Sequence, residues 1–315
     1  TASHNPINYN GLKFVKSGSQ PLHAEQDFQV IKKIAELGEW KFIGSGGSVK
    51  DVSLLAREAY VNKVLSFINI REFKRYKIIV NSGNGVAGPT FDAIAKILKK
   101  NEVPIEFIRM HHYPDHTFPN GIPNPILVEN HAPMQRMVLQ HGADFGIAFD
   151  GDFDRCFFFD ENGRFVSGEY IVGLLASEFL DKKPHAKIVH DPRIIWNIQD
   201  IVKVKGGVCV PSQTGHAFIK NTMRRHKAVY GGELSAHHYF KDFSYCDSGM
   251  IPWLIILEMI SKSDTSLGTL VEGRLNKFPS SGEINFNIKD PDKVIDLIAD
   301  HYKPASIYCC NLDGL

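Results

Sequence analysis

Lys77-Ile78-Ile79-Val80-Asn81-Ser82-Gly83-Asn84-Gly85, with Phe91, Ile94, Ala95 and Leu98 beyond it, is the stretch on which the fold turns. A short apolar run ends in a polar turn with two glycines, and the later apolar residues recur at helical spacing. The reading is strand, tight turn, helix. Segment 187–202 repeats this grammar. Lys187-Ile188-Val189-His190 reads as a strand and Asp191-Pro192 as a turn and helix start; Ile194, Ile195, Ile198, Ile201 and Val202 form an apolar stripe that Gly206-Gly207 ends. A further short strand follows each unit, at Ile105–Met110 and Val208–Pro211. Together these predict consecutive, related α/β domains with mixed sheets.

Outward from these units, Phe145–Phe149 reads as a strand leading into an acidic turn. Cys156–Phe159 and the turn Asp160-Glu161-Asn162-Gly163 then complete a hairpin-like pair. An apolar helix is predicted from Tyr170 to Leu180, and 253–260 is apolar all round, as in a buried helix. From Pro279 the pattern alternates through Ile284, Phe286 and Ile288, which predicts the start of a C-terminal α+β domain.

A length of 315 residues predicts several domains, each burying its own core. The 36 Lys plus Arg nearly cancel the 35 Asp plus Glu, which argues against a nucleic-acid partner. No apolar run is long enough to span a membrane and the first residues lack a signal-peptide pattern, so no membrane partner and a cytoplasmic location are expected. The five cysteines include no CxxC pair, and Cys309-Cys310 lack further zinc ligands at matching spacing, so reduced, packing thiols are expected.

Three loops carry chemistry. Thr1-Ala2-Ser3-His4-Asn5-Pro6, followed by Tyr9-Asn10-Gly11-Leu12-Lys13, reads as a polar loop in which Ser3 is a nucleophile candidate, with His4 and Lys13 able to handle a proton or stabilise charge. Asp150-Gly151-Asp152-Phe153-Asp154-Arg155 sets three carboxylates at alternate positions, so one turning segment can aim them all at one hard cation such as Mg²⁺. Repulsion among them is expected to raise their pKa values when no cation is present. An EF-hand fails, because Arg155 stands where that loop requires glycine. Tyr230-Gly231-Gly232-Glu233-Leu234-Ser235-Ala236-His237-His238 supplies Glu233 and Ser235 for hydroxyl recognition. Arg193 lies after a strand, where ligands of open α/β sheets bind, and could neutralise phosphate. His111, His112 and His116 have no common presenting face and read as surface loop.

TASHNP with YNGLK, DGDFDR and the GExS pattern at 232–235, in this order, resemble the phosphoserine, metal and sugar loops of the α-D-phosphohexomutases. GGELSAHHYF with the later DSGMIPW resembles the bacterial phosphomannomutase branch, and Leu234 stands where phosphoglucosamine mutases carry Gln. The resemblance implies a phosphorylated Ser3 with His4 beside the transferring group, and Lys13 as charge stabiliser or proton-transfer group; which residue is the general base stays open. It implies Mg²⁺ held by Asp150, Asp152, Asp154 and the phosphate on Ser3, and substrate contacts from Arg155, Glu233, Ser235 and His237. The TGH segment adds His216 near the sugar, with Lys220 a weaker candidate.

The implied reaction interconverts mannose 6- and 1-phosphates through a hexose 1,6-bisphosphate that is both intermediate and activator, supplying GDP-mannose and polysaccharide synthesis. Phosphoglucomutase or dual specificity is the alternative; a Mg²⁺-dependent sugar phosphatase and an inactive sugar-phosphate-binding fragment are the rivals from other classes. Hexose phosphates are the expected partners, with a monomer or dimer as the assembly. By the same resemblance, 1–48 belongs to domain 1, about 49–164 to domain 2, about 165–276 to domain 3 and 277–315 to the start of a truncated domain 4. Without a fourth-domain phosphate grip, these residues alone are expected to turn over poorly.

Overall fold

The computed structural model describes residues 2–38, 44, 46–282 and 284–314; Thr1 and Leu315, the outer limits of the expected domains, lie outside them. A small hairpin, β1 (Val15–Lys16) and β2 (Gln20–Pro21), precedes α1 (Gln29–Leu37) and α2 (Ser53–Leu65). The expected strand–turn–helix follows as β3 (Tyr76–Asn81) and α3 (Ala87–Lys100), then β4 (Ile105–Met110), α4 (His131–His141), β5 (Phe145–Phe149), β6 (Cys156–Phe159) and β7 (Phe165–Val166). Phe91, Ile94, Ala95 and Leu98 are all buried, as their spacing requires. The sheet order is β4-β3-β5-β6-β7; β4, β3 and β5 run parallel, and β6 and β7 add antiparallel.

The second unit has the same topology. It comprises α5 (Gly168–Lys182), β8 (Lys187–His190), α6 (Trp196–Val204), β9 (Val208–Pro211), α7 (His216–His226), β10 (Tyr230–Gly232), β11 (His238–Phe240) and β12 (Cys246–Asp247). Its order, β9-β8-β10-β11-β12, places three parallel strands before two antiparallel ones. In each sheet the last parallel strand returns as a hairpin. Phe149 pairs with Cys156 in one and Gly232 with His238 in the other, so residues 150–155 and 233–237 are the two connecting loops. Both emerge at the carboxyl end of parallel strands, where open α/β sheets bind ligands.

Three expectations are corrected. Helix α6 starts at Trp196, four residues after the predicted turn, because the Asp191 carboxylate accepts from Arg193 N at 2.9 Å and Leu234 N at 2.9 Å and holds an irregular turn. Ile195 consequently leaves the stripe and is 41% exposed, while Ile194, Ile198, Ile201 and Val202 stay buried. The alternation at Ile284, Phe286 and Ile288 forms no strand among the described residues. All three side chains are exposed with no neighbouring strand, and α10 (Pro291–Tyr302) follows. Each unit keeps a small core of its own, around Ile79, Met134 and Phe159 in the first and Val189, Ile219 and Tyr239 in the second, but the main core is shared by both instead of being separate. Helices α8 (Met250–Ser263) and α9 (Leu267–Lys277) follow the second sheet. Trp253 of α8 packs against Phe91 at 5.6 Å and Phe107 at 6.1 Å in the first unit, in an apolar cluster that runs from Val61 to Val271. Among the described residues, no helix is long and apolar enough to cross a membrane.

Candidate functional site

The 150–155 hairpin turns at the end of β5 and meets the N-terminal loop. Ser3, in left-handed conformation at φ 53°, donates from Oγ to Asp150 Oδ2 at 2.8 Å, and His4 Nδ1 lies 3.0 Å from the same Oγ. Gly151 makes this approach possible, since a Cβ there would stand 2.2 Å from the Ser3 carbonyl oxygen. Lys13 Nζ reaches Asp154 Oδ2 at 2.7 Å and Asp152 at 3.9 Å. Three residues predicted from one loop thus meet three from another, about 150 positions along the chain.

The Asp150, Asp152 and Asp154 carboxylates each present an oxygen within 4.8 Å of the others. Asp152 Oδ1 and Asp154 Oδ1 are buried without a hydrogen-bond partner. Buried, unsatisfied carboxylate oxygens are costly, and converging hard donors of this kind fit a divalent cation. The three do not share one electrostatic fate, contrary to the expectation of a common rise. Burial, opposed by Arg155 and assisted by Asp154 and Asp152, pushes Asp150 up to about 6. For Asp154 burial acts upward too, but His237 and Lys13 outweigh it and hold the group below its ordinary value.

Arg155 is nearly buried and turns back into this cluster. Its Nε donates to Asp150 Oδ2 at 2.8 Å and its Nη2 meets His4 Nδ1. Burial, then Arg155, lowers His4 from its ordinary value. Lys13 behaves oppositely: burial works downward, but Asp154 raises it on balance.

The second hairpin loop sits beside the first. Glu233, 2% exposed, accepts from Gly215 N at 2.7 Å through Oε1, while Oε2 faces Tyr239 OH at 3.3 Å and Ser235 Oγ at 3.4 Å. A backbone bridge pairs Arg155 with His237 and so joins the loops directly. His237 Nδ1 lies 3.1 Å from Asp247 Oδ2 and 3.8 Å from Asp154 Oδ1; burial lowers its pKa, but Asp247 and Asp154 carry it above the ordinary value. His216 begins α7 within the charge field of Lys220, Asp247, Lys13 and His237, and burial followed by Lys220 lowers it. Arg193 stands apart from this group. Its Nη2 donates to buried Asp191 at 2.7 Å, and it lines a cleft with Trp196, Leu234 and Phe278.

Sequence reasoning missed Asp247 and undervalued Lys220, which pair at 2.9 Å with both side chains about nine-tenths buried. Lys220 follows His216 by four positions on α7, so helical spacing carried a signal. Asp247 lies in a stretch with no periodicity.

Two topologically matched α/β units, with a serine and an acidic loop on one and a Glu/Ser/His loop on the other, define a class. Residues 1–40, 58–163 and 167–278 match phosphoglucomutase/phosphomannomutase alpha/beta/alpha domains I, II and III, and the chain belongs to that phosphohexomutase family. It is similar to a phosphomannomutase of Salmonella montevideo, 50% identical over all of this chain and 69% of the relative, and to one of Escherichia coli K12, 48% identical with the same coverage. A phosphoglucomutase/phosphomannomutase family protein of Burkholderia thailandensis superposes with a TM-score of 0.82 at 28% identity, over all of this chain and 65% of that one. The chain therefore spans about two thirds of its relatives' length.

Proposed function

We propose that the chain forms the catalytic centre of a phosphomannomutase that interconverts mannose 6-phosphate and mannose 1-phosphate through phospho-Ser3. The observation carrying this reading is Ser3 Oγ at 2.8 Å from Asp150, inside a triad of converging carboxylates and beside Lys13 and Arg155. Phosphoserine gives its phosphoryl group to the free hydroxyl of a hexose monophosphate: the Ser3 O–P bond breaks, the sugar O–P bond forms, and the proton lost by the sugar hydroxyl is balanced by the one that the freed Ser3 Oγ takes up. The resulting 1,6-bisphosphate turns over in the cleft, and its other phosphate returns to Ser3.

Asp150, Asp152 and Asp154, with the phosphate on Ser3, are the groups that would hold Mg²⁺. The bound ion would withdraw charge from the phosphoryl oxygens during transfer. Lys13, kept protonated by Asp154, and Arg155, fixed on Asp150, present positive charge to the same group. Glu233 and Ser235 recognise sugar hydroxyls, and His216 and His237 add substrate contacts. Contacts to hydroxyls suit a ring that must bind in two orientations. Arg193, in the separate cleft with Trp196, Leu234 and Phe278, is a further phosphate partner once its hold on Asp191 is released.

The test is to supply mannose 6-phosphate and glucose 6-phosphate to the intact enzyme with Mg²⁺ and a trace of hexose 1,6-bisphosphate, following both isomer formation and inorganic phosphate. Mannose 1-phosphate should form with little phosphate release. Preference for glucose would move the substrate assignment, and stoichiometric phosphate release would make the protein a phosphatase.

A further inference from the structure

The Asp247-Ser248-Gly249 turn has no role in the chemistry above, yet it holds several parts of the site at once. Gly249 N donates to Phe153 O at 3.1 Å, inside the acidic loop. Ser248 Oγ lies 2.6 Å from Tyr60 OH of α2 and accepts from Met250 N at 3.2 Å. Asp247 places Oδ1 2.9 Å from Lys220 Nζ and Oδ2 3.1 Å from His237 Nδ1, the latter an ion-pair contact outside hydrogen-bond geometry. A lysine ammonium taken out of water must keep an anionic partner, so Lys220 fixes the carboxylate on one side. A carboxylate paired with one imidazole nitrogen biases the ring's orientation and leaves the other nitrogen on the far side for a ligand. The ring also stands 3.8 Å from Asp154, and the Arg155–His237 backbone bridge fixes the chain that carries it. Its orientation is therefore determined from α7, the second sheet and the acidic loop together.

We propose that Asp247 is a positioning residue: braced by Lys220, it holds the His237 ring through Nδ1 so that Nε2 faces the sugar phosphate. The inference rests on the phosphohexomutase reading above. It is tested by calorimetric binding of mannose 1-phosphate to the intact enzyme carrying Ser3→Ala, in which no phosphoryl transfer intervenes. Asp247→Asn alone would strand a buried lysine, so it is combined with Lys220→Met to keep charge balanced, with folding followed by thermal melting. The Asp247→Asn/Lys220→Met pair should weaken binding about 10–100-fold. His237→Ala should do the same, and all three changes together should weaken it no further, because one residue acts through the other. Affinity equal to the Ser3→Ala parent, or losses that multiply, would overturn the proposal. If the parent itself does not bind mannose 1-phosphate, the substrate reading fails instead. The positioning claim is then decided by the His237 imidazole ¹⁵N shifts, which move in the Asp247→Asn/Lys220→Met protein if Asp247 holds Nδ1 and stay in place if it does not.

Discussion

His237 and His238 are adjacent and meet opposite electrostatic fates. His237 is carried upward by Asp247 and Asp154 against the effect of burial, whereas burial, aided by His237, pushes His238 down to about 3. His238 Nδ1 is 2.7 Å from Tyr230 OH, and its Nε2 is buried without a partner. A histidine held neutral in the folded state takes up a proton on unfolding below pH 6.5. Its contribution to stability is thus complete above that pH and is lost as pH falls toward 3. Between pH 7 and pH 5 the loss is about 2 kcal/mol from this residue. Urea unfolding at the two pH values should show His238→Gln losing that much less than the parent, and an identical loss in both proteins would contradict the assignment. Neither fate is legible in the dipeptide, because it depends on which carboxylates the fold brings alongside.

The two hairpin loops are the same element used twice. Each joins the last parallel strand to the first antiparallel one; one carries three carboxylates, the other Glu233, Ser235 and His237. The strands flanking the first loop and the composition of both loops could be read directly, since each is local; the short strands Tyr230–Gly232 and His238–Phe240 that flank the second lie partly inside a stretch read as loop. Their adjacency could not, because it depends on the 247–249 turn and the Arg155–His237 bridge, which join segments about 80 to 100 residues apart. The α6 start failed for a related reason: Asp191 is engaged by Leu234, a partner in the other hairpin loop. Gly151 tests the fit between loops. Gly151→Ala forces a Cβ against backbone, which cannot rotate away, so either Ser3 or the acidic loop must shift. A displacement near 1 Å should lower kcat about 100-fold, while KM for mannose 6-phosphate, set largely by the other hairpin loop, changes little. A variant with parental kcat would show that Ser3 does not work from this position.

Across the whole molecule, the shared core makes the two α/β units a single support. Trp253 lies between α3 and β4 of the first unit, Glu258 of α8 accepts from Asn69 N at 2.8 Å, and Glu161 accepts from Gly268 N at 2.9 Å. The N-terminal hairpin is fastened to this support by Arg224, whose Nη2 donates to Gly18 O, Ser19 O and Ser244 O at 3.0, 3.0 and 2.8 Å. Through that hairpin Lys13, two residues before β1, is held over the acidic loop. A length that implied several independent cores did not show that the main one would be shared, since the mostly apolar 253–260 segment does not reveal which sheet it will cover. Everything in this arrangement converges on the hydroxyl of Ser3. The most direct measurement is intact-mass analysis with site mapping on the intact enzyme, paired with turnover of mannose 6-phosphate by the parent and by Ser3→Ala. One phosphate should map to Ser3, and the substitution should abolish both phosphate and interconversion; undiminished interconversion in Ser3→Ala, or phosphate mapped elsewhere in an active protein, would contradict the account.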